Sequence, residues 1–186
     1  MDLASKVEEA NVRKLVGRYN MLVNLFWSIV NLTPIGIFWY RQVNHNILYI
    51  FLALSLFPIL WPRKVFHSLK LGSRSATYKR AGVAFVIRFT QNGRIINALI
   101  KNKFPSYRVV SARSSSVEHL ISQTYMFEKF HYIFLLFFLL TLVHTILNHL
   151  FWWSLVIIIT NILYNIYPIL IQQYIRLKLG LVSKRA

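Results

Sequence analysis

Glu128 stands three places before His131, and His131 opens the apolar run FHYIFLLFFLLTLVHTILN. The chain has only five acidic residues, so a carboxylate placed beside an imidazole at the edge of an apolar segment calls for an explanation. Such a pair can do general-base chemistry. The imidazole takes a proton from a hydroxyl, and the carboxylate orients the ring and stabilises its charged form. At the mouth of an apolar segment the hydroxyl would belong to a lipid-soluble acceptor. The plainer reading is that Glu128, Lys129 and His131 mark the level of the lipid headgroups, and spacing alone leaves both open. On a helix Thr124, Glu128 and His131 fall at i, i+4 and i+7 and share a face. Thr141 and Asn148 continue that face, with His144 next to it.

Two more polar stripes run through apolar stretches. Asn161, Asn165, Pro168 and Gln172 follow helical spacing, and so do Asn20, Asn24, Ser28 and Asn31. Polar side chains are costly in lipid, so these stripes must face other helices or a hydrated cavity. Hydrogen bonding between helices explains them without chemistry. Other chemistries find no support. The chain has no cysteine, hence no thiolate metal site and no disulfide framework. Of the six histidines only His144 and His149 are close at helical spacing, so no metal is expected. No glycine-rich phosphate loop, serine elbow or HExxH motif appears, and no cofactor is expected.

The elements that must carry these residues follow from composition. Hydrophobic residues make up 56% of the chain, yet the formal net charge is +17. Those two facts coexist most simply in a membrane protein whose charges lie outside the bilayer. A span needs about 20 mostly apolar residues. Residues 21–40, 47–61, 130–148 and 150–171 qualify, the second being short and carrying Pro58. If these four alternate, every Lys and Arg except Arg41 falls on one side. That is the positive-inside pattern, so both termini and the connection 62–129 are expected in the cytoplasm. The basic charge thus follows membrane topology, and no nucleic-acid-binding motif accompanies it. Trp27, Trp39, Trp61, Trp152 and Trp153 mostly lie near span ends, where amphipathic rings settle.

The expected fold is therefore all-α: a single membrane domain with about four transmembrane helices and a basic interfacial helical region. It divides into a cytoplasmic amphipathic helix (1–19), a first helical hairpin (20–61), the basic loop (62–129), a second hairpin (130–171) and a basic tail (172–186). In the first of these, Leu3, Val7, Ala10 and Leu15 roughly share a face, and Glu9 precedes Arg13 by four, a helix-supporting pair. Within the loop, Asn92-Gly93 between apolar runs allows a hairpin. Arg94, Asn97 and Lys101 recur at helical spacing opposite Ile95, Ile96, Leu99 and Ile100, which favours an interfacial amphipathic helix. Ser115 followed by Glu118 forms a capping box. No Gly or Pro then intervenes before Pro168, so one helix is expected from about Ser116 through the third span.

The segment SVEHLISQTYMFEKFHY resembles the signature of the glycosyl-4,4'-diaponeurosporenoate acyltransferase family. Glu118, Thr124, Glu128, His131 and Tyr132 match in order and spacing, the last being usually Trp. Near the C-terminus, NIYPILIQQYIRLKL is similar to the second family segment through Asn165, Gln172, Tyr174, Arg176 and Leu179. Gln173, Ile175 and Leu177 stand where Arg, Asn and Pro are usual, and Pro168 is displaced by one place. The stretch RAGVAFVIRFTQNG also resembles a basic, aromatic family segment. The resemblance covers roughly residues 78–179. It implies a multi-pass protein of the bacterial cytoplasmic membrane. Its activity would esterify a hydroxyl of a lipid-like acceptor, such as a carotenoid glycoside, with a fatty acyl group drawn from an acyl thioester. His131 and Glu128 are then the expected catalytic pair, and Thr124, Asn165, Gln172, Tyr174 and Arg176 the expected substrate contacts. The alternative of another class is a non-catalytic scaffold or assembly factor that binds partner helices through its polar stripes. A third, a transporter subunit, is disfavoured by the scarcity of intramembrane charge.

Overall fold

The structure, a computed structural model, describes residues 3–91, 93–105 and 114–183. Among these there is no strand. Helix α1 (Leu3–Gln42) fuses the expected amphipathic helix and the first span into one element, with Pro34 tolerated inside it. The side chains of 3–9 are outside those described, and with them Leu3, Val7 and the acid of the Glu9–Arg13 pair. Helix α2 (His45–Ser55) begins where the Asn44 side chain accepts a hydrogen bond from the Asn46 N–H, an N-cap that satisfies a free donor. It ends in a 3-10 turn, Phe57–Leu60.

Among the described residues three helices are long and apolar enough to cross a bilayer: Ala10–Gln42, Val117–Leu147 and Phe151–Leu181. The expected fourth segment, His45–Leu60, is shorter. Its α-helical and 3-10 parts together reach about 24 Å, against a hydrocarbon core of about 30 Å. Pro58, which has no N–H to continue an α-helix, lies in the tightened turn. The segment still runs along much of the apolar part of its neighbour: the Phe51 ring meets His144 at 6.2 Å, and the Lys129 ammonium donates to the Ile59 carbonyl at 2.8 Å.

The basic connection folds into short helices, α3 (Arg63–Ser68), α4 (Ser75–Arg80), α5 (Val83–Val86) and α6 (Arg94–Lys103). A helix forms after Gly93, as the charge spacing favoured, and the described residues contain no strand. Its apolar face is narrower than the sequence suggested: Ile96 and Ile100 are buried, whereas Ile95 and Leu99 are exposed. Asn92 lies outside the described residues. Gly93 is required by packing, because a Cβ there would collide with the Ile87 carbonyl oxygen.

Helix α7 (Ser114–Leu147) is the single long element expected from the absence of breakers. The Ser115 side chain of the capping box is outside those described. At the far end of α7, His149 adopts φ 57° and the Leu150 N–H returns to the Thr145 carbonyl. This left-handed stop turns the chain back into α8 (Phe151–Asn161), and Ser154 Oγ then donates to Thr145 Oγ1 at 2.9 Å. A π turn, Ile162–Ile166, joins α8 to α9 (Tyr167–Ser183).

Two cores hold these elements. One packs Ile35, Phe38 and Trp39 of α1 on Phe137 and Phe138 of α7 and Ile157 of α8. The other packs Tyr78 and Val83 of the basic region on Ile171 and Tyr174 of α9. Trp39 therefore belongs to a core and is 5% exposed, unlike the interfacial ring expected of it. The stripe on α1 is used within the chain: Ser28 Oγ lies 3.2 Å from Tyr164 Oη, Asn31 donates to the Trp27 carbonyl, and Asn24 accepts from Gln91.

Candidate functional site at the polar end of the bundle

Where α7 enters its apolar half, Glu128 is completely buried. A lone buried carboxylate would be strongly disfavoured, and this one is compensated from α9. Gln173 Nε2 donates to Glu128 Oε1 at 2.7 Å, and Arg176 Nη1 lies 2.7 Å from Oε2. The second approach is off the N–H direction, so it is an ion pair without an aligned hydrogen bond. Thr124, also buried, donates to the Ile121 carbonyl at 2.6 Å and lies 3.5 Å from Arg176 Nη1. The Arg176 guanidinium stacks on Tyr125, 3.9 Å from the ring centre, a contact that suits its planar, weakly hydrated charge. Arg63 reaches the same ring at 5.3 Å, and His67 Nε2 lies 2.8 Å from Tyr125 Oη.

Gln173 ties this centre to the basic region. Its Oε1 accepts from the Leu71 N–H at 3.0 Å and from the Tyr78 hydroxyl at 3.3 Å. Tyr78 also donates to the Gly72 carbonyl at 3.0 Å. Burial holds the Tyr78 phenol above its ordinary pKa, which keeps it protonated. With both ends engaged, the Gln173 amide has one orientation available, and the segment around 69–78 is closed over Glu128.

His131 faces elsewhere. Its ring meets Tyr164 edge-on at 6.0 Å, and Asn165 and the Tyr164 backbone lie beside it. The described contacts of the Glu128 carboxylate run to α9, none of them to His131. The direct orienting contact expected of the pair is therefore replaced. Residues three apart on a helix point about 60° apart, and here α9 covers the Glu128 side while the π turn covers the His131 side. Asn165 is fully buried and donates to Asn161 Oδ1 at 2.8 Å. Its own Oδ1 and His131 Nδ1 are both buried with no aligned partner among the described residues.

The remaining expected residues divide. Arg176 and Thr124 join Glu128. Tyr174 is buried but turns to the second core, 5.9 Å from the Tyr78 ring, with Lys178 above it at 4.6 Å. Gln172 has no described polar contact, and the buried glutamine is Gln173. The π turn explains the exchange. Such a turn takes up about one extra residue, rotating the downstream helix by about 100°, so the face that carries Asn161 and Asn165 continues at Gln173. Pro168 is the local cause: it has no N–H for the Tyr164 carbonyl, and its ring would press on that carbonyl in a regular helix. The signal for Gln173 was the Asn-rich stripe followed by proline, a combination that straight helical spacing misphases.

Residues 62–185 match the family model of glycosyl-4,4'-diaponeurosporenoate acyltransferase. No curated protein and no solved structure matches the chain. The family match covers more than half of the chain, so the chain belongs to that acyltransferase family. Both polar centres, the one at Glu128 and the one at His131, lie within the matched residues.

Proposed function

From this family membership we propose that the protein is a membrane acyltransferase that esterifies a hydroxyl of a lipid-like acceptor with a fatty acyl group. A carotenoid glycoside is the acceptor the family name suggests, and an acyl thioester is the proposed donor. The observation that carries this reading is the pair of unpartnered buried atoms, His131 Nδ1 and Asn165 Oδ1, at the end of apolar helices. A buried polar atom left unpaired costs about 1–3 kcal/mol. A hydroxyl both donates and accepts, so it can satisfy either atom.

His131 acts as general base in this reading. It takes the hydroxyl proton as the oxygen attacks the thioester carbonyl carbon. The C–S bond then breaks, and the thiolate leaves with the proton returned by the imidazolium, giving an ester and a free thiol. Asn165 holds the acceptor. Glu128 is a positioning residue: it fixes Arg176 and is itself fixed by Gln173, so that Thr124, Gln173 and Arg176 form a rigid polar wall. Tyr174, turned to the second core, and Gln172, without a described polar contact, have no part in this reading. The protein sits in the bacterial cytoplasmic membrane as one domain with both termini in the cytoplasm, because the basic residues gather at one end of the helices. The scaffold reading is weaker, since the stripe on α1 is already engaged inside the chain.

The test is product formed per inserted molecule, with acceptors extracted from cells that express the protein. General-base assistance is typically worth 10²- to 10⁴-fold, so His131→Ala is expected to lose about that much while insertion is unchanged. His131→Lys anchors at the interface but is a poor base when protonated, and it is expected to be equally inactive. Full activity in His131→Lys would show that the residue serves only as an interfacial anchor.

A further inference from the structure

A second feature lies on the flank of α1, away from Glu128 and His131. The 3-10 turn Ile87–Phe89 and the start of α6 enclose a notch of about 360 Å³ lined by Arg88, Phe89, Arg94, Ile95 and Ala98. Its walls are fixed. The Trp27 indole of α1 donates to the Phe89 carbonyl at 3.0 Å, and Gln91 bonds Asn24. At Gly93 the backbone passes so close to the carbonyls of Ile87, Arg88 and Thr90 that no side chain would fit. Both arginines are exposed, and neither has an acidic partner among the described residues. Two exposed arginines contribute to an otherwise apolar lining, the Arg88 guanidinium lying over the Phe85 ring at 5.8 Å, and this combination suits a ligand with an anionic head and a hydrocarbon body.

We propose that this notch binds the phosphate of an anionic membrane lipid. Arg88 and Arg94 take the phosphate oxygens, for which the guanidinium fork is well matched. Phe89, Ile95 and Ala98 receive the adjoining methylenes. A soluble phosphate would leave that apolar lining unused, whereas a lipid uses both halves of the site. The bound lipid would hold α6 at headgroup depth and brace the basic region against α1. Lys101 lies on the same helical face as Arg94 but about 10 Å further along, outside the notch, so it provides an internal control for diffuse attraction.

The full chain in neutral detergent, titrated with phosphatidylglycerol or phosphatidylcholine and followed by native mass spectrometry, tests this. One phosphatidylglycerol is expected to be retained where phosphatidylcholine is not. Arg88→Gln with Arg94→Gln should weaken that first lipid by about tenfold or more, in line with the attraction of two basic residues. Ala98→Trp, at an exposed position, fills the notch without changing charge and should do the same. Lys101→Gln with Lys103→Gln should change it less than about threefold. Equal loss in the two double variants would make the attraction diffuse and overturn the site. Unchanged retention in Ala98→Trp would overturn it as well. Displacement of the lipid by millimolar inorganic phosphate would reassign the notch to a soluble ligand.

Discussion

Two of the histidines on helix α7, His144 and His131, lie in opposite settings. His144 is boxed by the rings of Phe38, Trp39 and Phe51 at 6.2–6.3 Å, and its Nε2 lies near the Asn148 amide. His131 lies beside Asn165, with Nδ1 buried and unpartnered. The surroundings repeat the contrast. The end near His144 is held by aromatic and aliphatic packing among α1, α7 and α8. The end near His131 is held by a buried ion pair and a glutamine with both ends engaged. Aromatic packing tolerates local change, and its one buried polar atom without an aligned partner among the described residues, Trp39 Nε1, sits on a ring already stacked on His144 and Phe137. A buried polar centre is costly unless complete, and the proposed function places its acceptor at the His131 end for that reason.

That comparison can be broken outright by topology. A reporter fused within residues 72–77 or after Ala186 is expected to read cytoplasmic, and one at His149 external. A cytoplasmic signal at His149 would put both histidine regions on the same side and remove the proposed arrangement.

The next largest effect concerns the ion pair. Breaking a buried pair by removing one partner typically costs about 3–5 kcal/mol. Arg176→Met leaves the fully buried Glu128 carboxylate uncompensated and is expected to lose stability in that range, by thermal unfolding in detergent. Glu128→Gln should be milder, because Arg176 is 12% exposed and can turn to solvent. The reverse order would mean that Glu128 is not held as a charge.

A smaller effect separates the two neighbouring glutamines. Gln173→Ala is expected to cost about 1–3 kcal/mol, the penalty for leaving buried partners unpaired. Gln172→Ala should stay within about 0.5 kcal/mol, as substitutions without such contacts do. Equal costs would count against the π turn. The smallest effect is expected at His144: His144→Phe should shift stability by less than about 1.5 kcal/mol and leave transfer per inserted molecule unchanged.

Much of this protein was legible without coordinates. Apolar length and the position of Lys and Arg indicated an all-α membrane protein, because a bilayer admits few backbone solutions and a span needs a minimum run of apolar residues. The absence of breakers between Ser116 and Pro168 led to the long α7. Glu128 was singled out by its charge at the edge of an apolar run, where charge is too costly to be incidental, Thr124 by helical spacing from it, and Arg176 by the resemblance to the second family segment. The tertiary structure decided which partner each residue has. The second segment was already short and marked by Pro58 in the sequence, and the structure added that its end tightens into a 3-10 turn. The one-residue shift of the π turn brought Gln173, in place of Gln172, to Glu128. That in turn directed the carboxylate toward α9 and away from His131. Helical spacing places residues on faces, but which neighbour covers each face depends on how the helix ends, bends and rewinds, and those adjustments arise from packing between elements distant in the chain.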